Sequence, residues 1–221
     1  MGLLDDLKRQ ADQLKTQQLS QQSLRADAQR LVEEKMKRVF DYLHELLNQL
    51  AVLKPVNGIA YSIPGIGDFK DLQFEDSFID YRKKRVQDKE LFDLVSFYIR
   101  WGSTAKMAID RDMPAAAAKV REALFTNGIK FTEEEVKNAR HVVDGWKFSI
   151  ESGIVTDVKI QADSDEGRLV IKAKNLMRLG PDDFIVPAGD VDEAWLEDFA
   201  MTLLGKPGSF RKYRAAVAPT R

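Results

Sequence analysis

The stretch Met36-Lys-Arg-Val-Phe-Asp-Tyr-Leu-His-Glu-Leu-Leu-Asn-Gln-Leu-Ala-Val-Leu-Lys-Pro55 decides how this chain is built. Its Met36, Val39, Leu43, Leu46, Leu50 and Leu53 alternate steps of three and four without a break. That is the spacing of a coiled-coil seam, or of a helix laid along a partner. Lys54 ends the pattern, because a residue ahead of proline is pushed out of the helical basin, and Asn57-Gly58 then supplies a turn. Upstream, no glycine or proline occurs between Leu3 and Lys54. At a rise of about 1.5 Å per residue, an unbroken helix over that stretch is about 80 Å long. A first apolar block, Leu4, Leu7, Ala11 and Leu14, is spaced three, four and three. Its phase then runs onto Gln18, Gln21 and Arg25, and the steps Ala28, Val32, Met36 shift it in the manner of a stutter. The polar run Thr16–Ser23 leaves two readings. Glutamines carry one helix through it, or Ser20 or Ser23 caps a second helix starting near Leu24, with the break near 17–23.

Outward from this arm (residues 1–54), residues 55–71 hold Pro55, Gly58, Pro64, Gly65 and Gly67, a linker or the start of strand structure. A module over 72–208 follows. Leu72-Gln73-Phe74 opens an alternation that reaches Tyr81. From Leu91 the odd positions Val95, Phe97, Ile99 and Trp101 are apolar, and Lys106–Asp110 reads as a further short strand. Residues 113–127 read as a helix capped by Asp112, with Pro114 at its start and Asn127-Gly128 at its end. Thr132-Glu-Glu-Glu135 matches a capping box, which predicts a second helix up to Asp144-Gly145; the alternative is strand structure over 132–144, with Asp144-Gly145 as a two-residue hairpin turn. Trp146–Ile150, Ile154–Ala162 and Leu169–Ala173 alternate as three strands of an antiparallel meander, turning at Gly153 and at Asp163–Gly167. A last helix is capped around Gly189-Asp190 and buries Trp195, Phe199 and Leu203 before Gly205-Lys-Pro207. The tail, 209–221, is basic and expected to be mobile. The fold class is therefore α+β: a long N-terminal helical arm, coiled-coil-like, followed by a mainly antiparallel sheet with two or three short helices.

Composition removes several chemistries. The chain has 34 basic and 35 acidic residues, net charge −1, so nothing global draws it to nucleic acid or an anionic membrane. It has no cysteine, hence no disulfide framework, thiolate nucleophile or cysteine-held metal. No apolar run is long enough to cross a bilayer and the first residues lack a signal-peptide pattern, so a cytoplasmic location is expected. His44 and His141 fall in unrelated elements, beside no nucleophile motif, and no phosphate-cradling glycine loop occurs. No cofactor is expected. Asp163, Asp165 and Glu166 sit in one turn without the spacing of a calcium loop. Ala162–Gly167 shares Ser164 and Gly167 with the D/N-x-S-x-x-G signature of PilZ cyclic-dinucleotide receptors. Ala162 departs from that signature, and Arg82 and Arg85 are one residue too close for its R-x-x-x-R partner, so the chain is not assigned there.

Two surfaces remain. Arg82-Lys83-Lys84-Arg85 is the densest basic run, read either as an anion contact or as a solvated strand edge that discourages pairing. The stripe Met36, Val39, Leu43, Leu46, Leu50 and Leu53 must be covered, either by the same helix of a second copy or by the chain's own sheet. A helix this long overhangs a module whose radius of gyration is roughly 15 Å, which favours self-association through the stripe as a two-fold dimer. The expected function is a non-enzymatic oligomeric scaffold or adaptor that also binds a protein partner through its sheet. A nucleotide- or other anion-binding regulatory module is the alternative, and an enzyme with an unrecognised site comes third.

Overall fold

The computed structural model describes residues 3–86 and 88–215, with side chains described at residue 10 and from residue 12 onward. A single helix, α1 (Leu3–Leu53), crosses the break considered at 17–23, so the glutamines do carry one helix through. A small hairpin follows, β1 (Tyr61–Ile63) and β2 (Gly67–Phe69). The main sheet is built from β3 (Gln73–Val86), β4 (Lys89–Arg111), β5 (Phe131–Lys137), β6 (Val143–Asp163), β7 (Arg168–Lys174) and β8 (Pro181–Pro187). Between them lie α2 (Pro114–Asn127), after β4, and α3 (Glu193–Leu203), after β8. All pairings are antiparallel, in the order β3-β4-β6-β7-β8. The first half of β6 holds β5 on the side where its second half holds β7. The α+β class thus stands.

The inner face of the sheet is the core. Val95, Phe97, Ile99 and Trp101 of β4, and Ile154, Val158 and Ile160 of β6, are buried, with Leu169 and Ile171 of β7 and Phe184 and Val186 of β8 beside them. On this face lie α1 and α3. Along α1 the buried residues are Val32, Met36, Val39, Leu43, Leu47 and Leu50, each at most 4% exposed. Steps of about 3.6 residues in either direction from Leu43 fall on these positions, the period of a straight helix on a flat partner. The seam read from the sequence needs about 3.5, which only supercoiling maintains. Leu46 is accordingly turned half out of the core, and Leu53 is 72% exposed. Met36, Val39, Leu43 and Leu50 therefore belong to the chain's own core rather than standing open to a second copy.

Four local expectations are corrected. Residues 132–144 form most of β5, a turn and the start of β6, not a helix. Pairing with β6 from Phe131 to Lys137 overrides helix propensity, and the Asn138 side chain accepts from Arg140 N–H (2.9 Å) and Val142 N–H (3.2 Å) to shape the turn. Gly153 is no turn: β6 runs straight through it, paired to Gly102, and its φ is not positive. β4 likewise absorbs the separate strand expected at 106–110, across an irregularity between Ser103 and Lys106. The helix caps also differ. Met113, without a side-chain bond, stands at the start of α2, and Asp192, not Asp190, accepts Trp195 N–H at 2.8 Å to start α3. Gly128 ends α2 with φ 69°, as its sequence position suggests. β8 is not foreseen by the sequence reading.

The tail begins docked rather than loose. Phe210 is fully buried against Phe184, Trp195 and Phe199, with ring centroids 4.9, 5.7 and 4.8 Å away. Residues 216–221 lie outside the described residues.

Candidate functional site: the helical arm and the open edge of the sheet

α1 leaves the module in a defined way. Glu33 Oε2 accepts the backbone N–H of Phe92 at 2.6 Å, tying the helix to the start of β4. Ala28 lies under Gly167 in the β6–β7 turn. From residue 12 to residue 27 every side chain is exposed, including Leu14 (58%), Leu19 (66%) and Leu24 (67%). The other members of the first apolar block, Leu4, Leu7 and Ala11, have side chains outside those described. The 16 described residues 12–27, about 24 Å of helix at 1.5 Å per residue, thus precede the part that the module covers.

The helix runs antiparallel to β3, the end strand of the sheet. At its start the far side of β3 is occupied: Val56 bridges to Gln73, and Phe74 N–H donates to Pro55 O at 2.9 Å. Beyond Phe74 no described strand pairs with that side. Asp80 turns its own carboxylate onto the N–H of Tyr81 at 2.8 Å, and two aromatics of this stretch, Phe78 and Tyr81, are 57% and 44% exposed.

The basic run lies at the far end of β3, and each of its side chains meets a partner in its own hairpin. Arg82 donates from Nε (2.9 Å) and Nη2 (2.6 Å) to Asp93, and Lys84 lies 3.7 Å from the same carboxylate. Arg85 is 3.8 Å from Asp88. Lys83 sits over the rings of Tyr81 and Phe92, at 5.6 and 5.2 Å, where the negative ring faces attract its ammonium. This arrangement suits the solvated-edge reading of the run better than an anion cradle.

Several buried polar groups bond to one another within the fold. Tyr61 O–H donates to Asn175 O (3.0 Å), which also accepts from Thr156 Oγ1 (3.0 Å), and Trp101 Nε1–H donates to Thr156 (3.1 Å). Burial pushes the Tyr61 phenol above its ordinary value, with hydrogen bonds to Thr156 and Asn57 opposing. Burial likewise raises Tyr42, helped by Glu197 and Glu193. His44 is exposed, stacked on Phe40 at 5.9 Å; His141 holds a positive φ of 59° in the β5–β6 turn. The His44 ring lies 3.5 Å from the Asn48 amide, and among the described residues no three metal-ligating side chains gather. A cleft of about 480 Å³ between Gly58 and Arg211 and one of about 300 Å³ beside Ser103 and Lys106 are lined by a mixture of polar and apolar residues. Among the described residues no helix is long and apolar enough to cross a membrane.

The open edge is the feature that the sequence reading approached without placing. Its signal was the Arg82–Arg85 run at the end of an alternating segment. Comparison with protein families, with curated proteins and with solved structures gives no match to this chain.

Proposed function

We propose that this protein is a non-enzymatic scaffold or adaptor that self-associates through the free half of α1 and holds a protein partner on its sheet. The observation that carries the reading is the division of α1 into two halves. Residues 32–50 are anchored in the core, while Leu14, Leu19 and Leu24 stand in water on a continuation of the same helix. Helices that lack packing are marginal in water, so a free arm of this length calls for a partner. The three-four spacing of Leu4, Leu7, Ala11 and Leu14 suits a second copy of itself in a short coiled coil, with Gln18 and Gln21 as polar seam positions. The self-association expected of the Met36–Leu53 stripe thus passes to the arm. The sheet face opposite α1 carries Phe78, Val155 and Ile185, each at least 40% exposed, and offers room for the partner. No cofactor enters this reading, and the absence of cysteine suits a reducing cytoplasm.

The test is mass in solution. Leu7→Asp with Leu14→Asp places charge on the seam that the spacing of the first apolar block defines, and Leu14 is 58% exposed. Light scattering during size exclusion should show a smaller assembly than wild type, at an unchanged melting temperature. An unchanged mass would remove the arm from the account.

A further inference from the structure

We propose that residues Glu75–Lys83 of β3 form a second, two-fold contact, pairing antiparallel with the same residues of a second copy around Ile79. Four observations converge on this stretch. It is edge strand, and among the described residues nothing pairs with it beyond the point where the Pro55–Asn57 segment stops covering it. The Asp80 carboxylate on Tyr81 N–H shows that the backbone groups of Tyr81 point outward, and the two-residue period extends this to Ser77 and Ile79. Phe78 and Tyr81 expose aromatic surface beside that edge.

The fourth observation is charge. The stretch is acidic at one end, Glu75-Asp76, and basic at the other, Arg82-Lys83. Antiparallel self-pairing therefore sets acid against base, and the register decides how well. With Ile79 opposite Ile79, Asp76 faces Arg82, Glu75 faces Lys83, Phe78 faces Asp80 and Ser77 faces Tyr81. Every outward-pointing residue then meets another, and no like charges are opposed. Slipping the register by one two-residue step sets Asp80 against Asp80 in one direction and against Asp76 in the other, and like charges directly opposite destabilise a pair. Basic residues on an edge normally protect it from pairing. Here they protect against foreign strands while complementing a second copy. Within one chain Arg82 is held by Asp93, and Asp76 Oδ2 accepts from Arg100, so the contact across the two-fold joins two existing ion pairs: Arg82 keeps three further guanidinium donors and Asp76 Oδ2 a second lone pair.

This contact is separate from the arm. α1 runs antiparallel to β3, so a two-fold axis through Ile79 sends the two arms in opposite directions. Edge and arm then join different copies, which makes the assembly larger than a dimer.

The chain has no cysteine, so any disulfide must pass through an introduced one. Directly opposed residues stand about 5.5 Å apart at Cα, within disulfide range. Under mild oxidation Ile79→Cys should give a covalently linked pair. Ser77→Cys, which faces Tyr81, should not, and Ser77→Cys with Tyr81→Cys should. Phe78→Cys with Asp80→Cys on the outer face leaves the core untouched and should link as well, which covers the case in which Ile79→Cys perturbs folding. Linking should persist when Leu7→Asp and Leu14→Asp are added, and should be lost on adding Glu75→Lys with Asp76→Lys. The proposal is overturned if the folded Phe78→Cys/Asp80→Cys protein stays unlinked. It is equally overturned if Ser77→Cys links as readily as Ile79→Cys, or if the arm substitutions abolish linking. Failure of the arm reading alone would leave these links intact.

Discussion

Leu43 and Leu53 are the same residue type on the same three-four seam, yet the structure assigns them opposite fates. Leu43 is fully buried, and Leu53 is 72% exposed. Replacing Leu43 by Ala removes buried side-chain volume from the contact between α1 and the inner face of the sheet and leaves a cavity behind it. Substitutions of this kind cost about 2–5 kcal/mol, depending on how far the site collapses. Little collapse is available to a helix held on a sheet by neighbours at Val39 and Leu47, so about 3 kcal/mol is expected. For a domain of this size that lowers the melting temperature by roughly 6–12 °C. Leu53→Ala should change stability by less than about 0.5 kcal/mol, the usual range at an exposed site. Urea unfolding followed by fluorescence of Trp101, Trp146 and Trp195 measures both. A second pair sharpens the test: Leu47→Ala should cost clearly more than Leu46→Ala. Equal losses at Leu43 and Leu53, or a larger loss at Leu46 than at Leu47, would mean that a supercoiled seam between copies, not the straight-helix face on the sheet, covers this stripe.

Two further outcomes follow from the core. Gly205 holds φ 67°, and a Cβ there would lie 2.6 Å from Ile59 N, whereas a Cβ on Gly189 meets nothing within 4 Å. Gly205→Ala should therefore lower the urea midpoint strongly, by the equivalent of about 2 kcal/mol or more, and Gly189→Ala hardly at all; similar midpoints would contradict the close approach of the Gly58 and Gly205 loops. Burial raises the Tyr61 phenol above its ordinary value of 10.0, so its contribution to stability is whole below about pH 10. It is lost as pH rises through the folded value, because the unfolded chain gives up the proton first. Tyr61→Phe should flatten that alkaline loss in melts at stepped pH, and an unchanged slope would show that another group drives it.

The sequence carried the architecture where local pattern and tertiary contact agree. The alternation of β4 from Val95 to Trp101 survives because the same residues face the core. So does the left-handed Gly128 that stops α2. Reading failed where contacts distant in sequence overruled local chemistry. Thr132-Glu-Glu-Glu135 has the letters of a capping box, but Thr132 pairs with Ser149, and Arg121 donates from Nε to Glu133 at 2.9 Å. β8 is a short run between Pro181 and Pro187, and its identity as a strand rests on pairing with β7. The apolar stripe of α1 was visible, but three-four spacing does not tell 3.5 from 3.6 residues per turn over so few steps, and that difference decides what covers it. The open edge of β3 was only half legible, since an edge is defined by the strand that is absent beside it.

The central claim is that one half of α1 is held by the chain's own core and the other half by a second copy. Hydrogen exchange read by mass spectrometry on peptides from residues 12–27 and from residues 36–50, at high and low protein concentration, tests it most directly. The account predicts that residues 36–50 keep the same strong protection at both concentrations. Residues 12–27 should be protected when concentrated and exchange faster on dilution, because their amides depend on association. Residues 12–27 exchanging freely at every concentration, or both peptides losing protection together on dilution, would contradict it.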